Sequence, residues 1–362
     1  MFSVRLTKAL RPIFAMAFAL SFIGASCGQD ALSIMPGVVN SPQNRSLRRA
    51  ILSFATSQIC SEMLRRSVPL KLREDDPIGG RFYGTSCFAQ EIGEGQSLFI
   101  QFSGYGYAWT NLTKRLGFDA SGAIEYEQDF LMDGSTMYVY FRKKAISASS
   151  FKYRLIERPE AASFGAVAVN GENGSTDSLA NAIGAQILKT EVAKGFTVIR
   201  EEDGAVAFGL GVVPKGEKPA APYKISESGR LVLVNDRTEV HSAQRDYVGP
   251  LEVDGKGKAL YITAAVDGAA TADLLLVSKN TGDAWLGQYS TQAALTPLPD
   301  YAPLDDTVSQ GVMFRRTIAL PQGQYYLVVD NSSAAGKSSP PANPNDDRAV
   351  LVNFAIELGP AP

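Results

Sequence analysis

Short apolar runs, separated by turn residues, dominate the second half of this 362-residue chain. The runs lie at 231–234, 260–266, 274–277, 314–320, 325–329 and 350–358. In the last run every second residue is apolar: Val350, Val352, Phe354, Ile356 and Leu358. Alternation with a period of two places these side chains on one face of a strand. Short strands joined by Gly, Pro and Asp turns predict an all-β sandwich over residues 223–360.

The first half mixes helical and strand patterns. A helical periodicity covers residues 46–66, and a second covers 178–194. Alternating apolar residues at 98–102, 124–143 and 196–210 predict strands and hairpins between and after them. We therefore predict an α+β domain at 45–213, an antiparallel sheet with two helices. The proline-rich segment 214–222 is the predicted linker to the sandwich.

The clearest hairpin, 124–143, has its turn at Asp133-Gly134-Ser135. If Leu131 pairs with Thr136, one face of the hairpin is apolar and the other is charged. The apolar face holds Tyr126, Gln128, Phe130, Met137, Val139 and Phe141. On the other face Glu125 meets Arg142, which predicts one face in water.

Composition excludes several classes of function. The 35 basic residues are matched by 37 acidic ones, so the chain lacks the positive field of a nucleic-acid-binding protein. A single histidine rules out any metal site built from two imidazoles of this chain. No phosphate loop, dinucleotide fingerprint or nucleophile elbow occurs in the sequence. We expect no cofactor and no metal site.

The N-terminus has the pattern of an export signal. Arg5, Lys8 and Arg11 are the only charged residues among the first 26, and an uncharged stretch follows from 12 to 26. The next residues read Ile23-Gly24-Ala25-Ser26-Cys27-Gly28. This segment resembles a bacterial lipobox, in which small residues precede an invariant cysteine. Gly24 stands where that family prefers leucine, and an ordinary secretory signal cut nearby is the alternative.

The lipobox resemblance implies that residues 1–26 are removed and that Cys27 becomes the lipidated first residue. Three acyl chains exceed what lasting membrane attachment requires. Gly28 follows the cysteine where an Asp marks inner-membrane retention, so the resemblance favours the outer membrane. Residues 27–44 contain Pro, Gly, Ser and Asn without periodicity and are the predicted flexible tether.

The remaining cysteines, Cys60 and Cys87, form an even pair in a chain predicted to enter an oxidising compartment. We predict that they form a disulfide. Two buried free thiols are the alternative.

The second half resembles the prepeptidase C-terminal (PPC) type of β-sandwich module appended to secreted bacterial proteins. Asp246-Tyr247, the run at 272–276 and the run at 323–329 carry this likeness over about residues 238–358. Such modules are non-catalytic and bind sugars or proteins. The resemblance therefore implies an envelope protein or a glycan as the partner.

Two sets of residues are candidates for a functional site. Tyr105, Tyr107 and Trp109 could stack on a glycan or an apolar ligand, although aromatic residues at alternate strand positions more often pack in a core. His241, near Ser242 and Asp246, could be imagined in a hydrolase. The acidic sets Glu125/Glu127/Asp129 and Asp305/Asp306 fit solvated faces and turns better than calcium sites.

The sequence thus predicts a lipid-anchored cell-envelope protein of the outer membrane. Its predicted role is binding or scaffolding without catalysis. Two alternatives stay open: a carrier that holds a lipid or another apolar ligand in the N-terminal domain, and an envelope hydrolase that uses His241.

Overall fold

The computed structural model describes residues 44–158, 193–201, 206–225, 229–298, 301–338 and 349–362, except 72, 74, 94–96 and 112, together with 184, 186 and 190. Cys27, the signal segment and most of the tether lie outside these residues. The described chain is mostly β, and its sheets are antiparallel. Among the described residues, neither helix is long and apolar enough to cross a bilayer.

The first half forms a seven-stranded sheet whose strands follow one another in chain order. Its elements are α1 (Arg45–Arg65), β1 (Val68–Leu70), β2 (Gly80–Ile92), β3 (Ser97–Thr110), β4 (Lys114–Asp133), β5 (Thr136–Ile156), β6 (Phe196–Arg200) and β7 (Val206–Leu210). Leu98, Ile100 and Phe102, an alternating run in the sequence, are buried together on the face that α1 covers. The predicted second helix lies mostly outside the described residues; Gly184, Gln186, Thr190, Ala193 and Lys194 are helical.

A disulfide joins α1 to the sheet. Cys60 of α1 and Cys87 of β2 are bonded, with their Cα atoms 5.3 Å apart, as the sequence predicted. Leu52 of α1 is fully buried in the core cluster on the face of the sheet that this helix covers. Leu64, near the end of the helix, is 47% exposed although it falls within the predicted helical periodicity.

The predicted register of the central hairpin is wrong by two residues. Asp133, rather than Leu131, lies opposite Thr136, and Phe130 lies opposite Val139. A two-residue turn closes the hairpin, and Gly134 in it adopts φ 58°. The backbone twist of such a turn matches the right-handed twist of the two strands. A shift of two positions leaves each side chain on its predicted face. Arg142 therefore lies opposite Glu127 instead of Glu125.

The prediction of one solvated face is also wrong in part. Tyr138 and Tyr140 alternate with the predicted apolar residues of β5, yet both are buried. They form a second cluster with Ile199 and Val213. The predicted linker contributes to this packing, because the N–H of Gly216 donates to the Tyr138 hydroxyl at 3.1 Å.

The second half is a sandwich of two four-stranded sheets. Its elements are β8 (Leu231–Val240), β9 (Gln244–Val253), β10 (Lys258–Asp267), β11 (Thr271–Ser278), α2 (Lys279–Tyr289), β12 (Leu304–Ser309), β13 (Phe314–Leu320), β14 (Gly323–Asn331) and β15 (Val350–Pro360). The strand orders in the two sheets are β13-β10-β15-β8 and β12-β11-β14-β9. All of the apolar runs in this half are strands. Three elements, β9, β12 and α2, were not predicted from the sequence. β9 begins with buried polar residues, and β12 carries adjacent acids, so neither displays the apolar alternation of a strand.

The helix α2 lies over the outer face of the β12-β11-β14-β9 sheet of the sandwich. The hydroxyl of Ser278 accepts a hydrogen bond from the Thr281 N–H and caps its N-terminus. Trp285, Leu286 and Tyr289 are buried on one side of the helix. They pack with Tyr326 and Val328 of β14, so the sheet is covered on both faces.

The two halves of the chain share one cluster and a strand contact. Tyr83 and Tyr107 of the first sheet are buried with Tyr247, Trp285 and Tyr326 of the second half. A parallel bridge pairs Ile78 with Thr238, and the Ile78 N–H donates to the Arg237 carbonyl at 2.8 Å. The halves therefore meet through apolar packing and through backbone hydrogen bonds.

Candidate functional site

The junction between the halves contains a buried ion pair. The Nε and Nη2 atoms of Arg81 each donate to a different carboxylate oxygen of Asp246, both at 2.7 Å. Their side chains are only 3% and 4% exposed. Burial lowers the pKa of Arg81, but the Asp246 carboxylate outweighs it and keeps the arginine charged. This bidentate pair fixes β2 against β9 in distance and orientation.

Tyr107 completes the same cluster. Its hydroxyl donates to Asp246 Oδ1 at 2.7 Å and accepts from the Tyr247 N–H at 2.7 Å. Beside it, the Tyr83 hydroxyl donates to the Tyr247 carbonyl at 2.6 Å. Burial raises the pKa of Tyr83 and of Tyr107 well above its ordinary value, so both hydroxyls stay protonated.

The other two predicted ligand contacts are also packed against protein. Tyr105 stacks on Tyr83 at a centroid distance of 5.7 Å, and the Arg154 guanidinium lies 5.0 Å from its ring. Trp109 stacks on His241, with centroids 3.4 Å apart and planes 4° from parallel. The aromatic segment therefore lies at the junction, where it contacts side chains of this same chain.

His241 is tied to a neighbouring acid. Its Nε2 lies 2.8 Å from Oε1 of Glu239, and the residue is 8% exposed. The hydrogen bond from His241 lowers the pKa of Glu239. Asp246, the acid of the imagined catalytic set, is bound through both oxygens by Arg81 and Tyr107. His241 and Asp246 therefore bind different partners: Glu239 for His241, and Arg81 and Tyr107 for Asp246.

A second polar cluster at the junction is centred on Arg115. Its Nη2 atom donates to the carbonyls of Gln292 and Ala293 at 2.9 and 2.7 Å. The guanidinium lies 4.2 Å from the Tyr289 ring, and the Tyr289 hydroxyl donates to Gln244 Oε1 at 2.7 Å. Burial raises the pKa of Tyr289 to about 12. These contacts bind the start of β4 to the end of α2.

A small cavity adjoins the predicted residues, and a larger groove lies elsewhere between the halves. The cavity that includes Tyr107, Trp109 and His241 in its lining has a volume of about 10 Å³, room for one water at most. A groove of about 200 Å³ lies where α1 ends against β8 and β9. Its lining includes Leu231, Leu233, Leu251, Arg65 and Glu252. Ligand pockets typically measure roughly 300–1,000 Å³.

Bases pair with four of the acidic residues considered for calcium: Glu125, Asp129, Asp305 and Asp306. Lys144 binds Glu125 at 2.7 Å, and Arg316 binds Asp306 at 2.8 Å. Within the described ranges, no group of three or more His, Cys, Asp or Glu side chains is placed to hold a metal ion.

Sequence reasoning missed three buried arginines: Arg81 and Arg115, which join the two halves, and Arg245, whose partners lie in the second half. Each is buried within a strand. An isolated arginine between apolar or aromatic residues is a weak signal, because the same pattern arises on a solvated strand face. Only the adjacency of Arg245 and Asp246 beside Tyr247 marked an unusual concentration of charge in a strand.

Comparisons with known proteins assign no family. No protein-family model matches the chain, and no curated protein matches it. Among solved structures, a chain from the infectious bursal disease virus (Gt strain) matches with 12% identity over 86% of this chain and 77% of that one. Its TM-score of 0.21 is too low to support any argument about fold or function.

Proposed function

We propose that this chain is an exported, lipid-anchored protein of the outer membrane with a non-catalytic binding or scaffolding role. The observation that carries the proposal is the Cys60–Cys87 disulfide. Disulfides persist in oxidising compartments, which agrees with an N-terminal signal and with Cys27 as the lipidated residue. We also propose that the first half is an α+β domain whose second helix covers residues 178–194.

The non-catalytic role is supported by how the candidate residues are used. His241 lies against Trp109 and Glu239, and Asp246 is bound by Arg81 and Tyr107. A general base must reach the proton that it abstracts. These contacts favour a structural role for both residues over the hydrolase alternative.

Fractionation of cells that express the full chain tests the anchor. Wild-type protein is expected in the outer-membrane fraction, with lipid mass on Cys27, and Cys27→Ser is expected in the soluble periplasm. Cys60→Ala combined with Cys87→Ala is the matched control, because it removes two cysteines without touching the lipobox. Equal membrane fractionation of wild type and Cys27→Ser, without lipid mass on the wild type, would overturn the proposal.

A carrier of an apolar ligand is the second candidate. The observation that favours it is the groove of about 200 Å³, which lies between the two halves rather than within the N-terminal domain of the sequence-based prediction, and whose lining residue Leu231 is 58% exposed. Native mass spectrometry of the purified chain distinguishes the two roles. Bound lipid that is lost in Leu233→Arg would favour the carrier, whereas a ligand-free spectrum favours binding or scaffolding by the protein surface.

A further inference from the structure

Two carboxylates lie side by side in the interior of the second half. Asp273 of β11 and Asp330 of β14 are direct cross-strand partners, and both side chains are completely buried. Such partners have β-carbons about 4.5–5.5 Å apart. Thr307 extends this row on β12, and Arg245 extends it on β9. One guanidinium thus accompanies two carboxylates, so the row carries an excess of negative charge.

The Asp273 carboxylate is held by a loop that follows β14. Its Oδ1 accepts from the Thr307 hydroxyl at 2.7 Å. Its Oδ2 accepts from the N–H groups of Lys337 and Ser338 at 2.8 and 2.7 Å. A carboxylate oxygen has two lone pairs, so Oδ1 keeps one for a further partner. The N–H contact of Ser338 places this residue directly beside the Asp273 carboxylate.

Two buried oxygens in this cluster have no hydrogen-bond partner within the described part of the chain. Asp330 Oδ1 accepts from Arg245 Nε at 3.2 Å and from the Ser332 hydroxyl at 2.6 Å, but its Oδ2 accepts from none. Ser338 Oγ is also buried without a partner. An ionised oxygen in that position is unfavourable unless a positive group reaches it.

We propose that Asp273, Asp330 and the Ser338 hydroxyl bind a hard metal cation, with Ca²⁺ as the cation to test first. The available donors are carboxylate and hydroxyl oxygens, which suit hard cations rather than soft ones. The excess negative charge supplies the attraction. A cation here joins the loop at 332–338 to β11 and β14 of the β12-β11-β14-β9 sheet. This proposal is independent of the lipid anchor and of the binding role.

Thermal unfolding of the purified chain after treatment with a chelator tests the site. Ca²⁺ at about 100 times its dissociation constant is expected to raise the Tm by about 4 °C. The rise is expected to be absent in Asp330→Asn and unchanged in Asp306→Asn, an acid that is paired with Arg316 on the same sandwich. No rise in wild type, or an equal rise in Asp330→Asn, would overturn the proposal.

Terbium luminescence provides a second readout that does not depend on how Asp330→Asn folds. Trp285 stacks under the Arg245 guanidinium at 4.3 Å, so an ion beside Asp330 lies near an indole that can sensitise it. Excitation of tryptophan is expected to give terbium emission that Ca²⁺ abolishes. Ser338→Ala is expected to weaken the binding several-fold. Absence of sensitised emission, or emission that Ca²⁺ does not displace, would count against the site.

Discussion

Trp109 and His241 lie face to face, with ring centroids 3.4 Å apart. Trp109 is at the end of β3 in the first half, and His241 directly follows β8 in the second. One was a candidate ligand contact and the other a candidate catalytic residue. In the structure the two rings pack against each other, and this contact is part of the junction between the halves.

Loss of the Asp246 carboxylate is expected to destabilise the junction strongly. Asp246→Ala leaves the Arg81 guanidinium buried without its partner, which costs about 3–5 kcal/mol. Chemical denaturation of the variant should show this loss in the free energy of unfolding. The double variant Arg81→Met/Asp246→Leu should recover part of the loss, because it removes both charges. A loss below about 1 kcal/mol in Asp246→Ala would mean that the pair is hydrated in solution.

Replacement of His241 is expected to leave the fold and the function intact. His241→Gln removes a stack on Trp109 and the hydrogen bond to Glu239, for a cost of about 1–2 kcal/mol. Complementation of a deletion strain at matched expression is the measurement, with Asp306→Asn as an exposed control. Loss of function in a folded, exported His241→Gln protein would instead support the hydrolase alternative.

Removal of the disulfide is expected to lower stability by about 3–4 kcal/mol through loop-closure entropy. The double variant Cys60→Ala/Cys87→Ala opens a connection between residues 27 positions apart. Denaturation of this variant and of wild type, each without reductant, gives the difference. Peptide mapping of the unreduced wild type should yield one linked peptide. Recovery of both cysteines as free thiols would contradict the bond.

Stability should fall as the pH rises through about 6 when divalent cations are chelated. Burial raises the pKa of Asp330 to about 6, from about 4 in an unfolded chain, although Arg245 opposes the shift. The protonated form is favoured in the folded state, so its contribution is complete below pH 4 and lost above pH 6. The loss is on the order of 3 kcal/mol.

The difference between wild type and Asp330→Asn isolates this titration from others. Hydrogen bonds lower the pKa of two other acids: His241 donates to Glu239, and Lys144 donates to Glu125. The stability that these two acids contribute therefore increases as the pH rises, which is opposite to the effect of Asp330. Unfolding measured from pH 4 to pH 8 should therefore show a shallower decline in the variant. Parallel profiles would contradict the raised pKa of Asp330.

The sequence by itself determined six of the eight strands of the sandwich, because alternation of apolar residues is a local property of the chain. Residues 350–358 and 314–320 needed no partner to be recognised as strands. The Cys60–Cys87 pair was predictable from the cysteine count, since two cysteines remain when Cys27 is assigned to the predicted lipid anchor and the predicted export signal implies an oxidising compartment. The register of the central hairpin was not predictable, because the same turn residues allow two registers that differ by two positions. Both registers keep every side chain on the same face of the sheet.

Only the tertiary structure decided what covers each buried face. Alternation suggests that Tyr107 belongs to a core, but its partners Asp246 and Tyr247 lie about 140 residues away in the sequence. Arg81 and Asp273 are charged, and their sequence context predicts exposure; their burial depends on Asp246 in one case and on the loop at 332–338 in the other. Polar groups acquire such partners only when distant segments meet, because a buried charge is stable only when hydrogen bonds and opposite charges surround it.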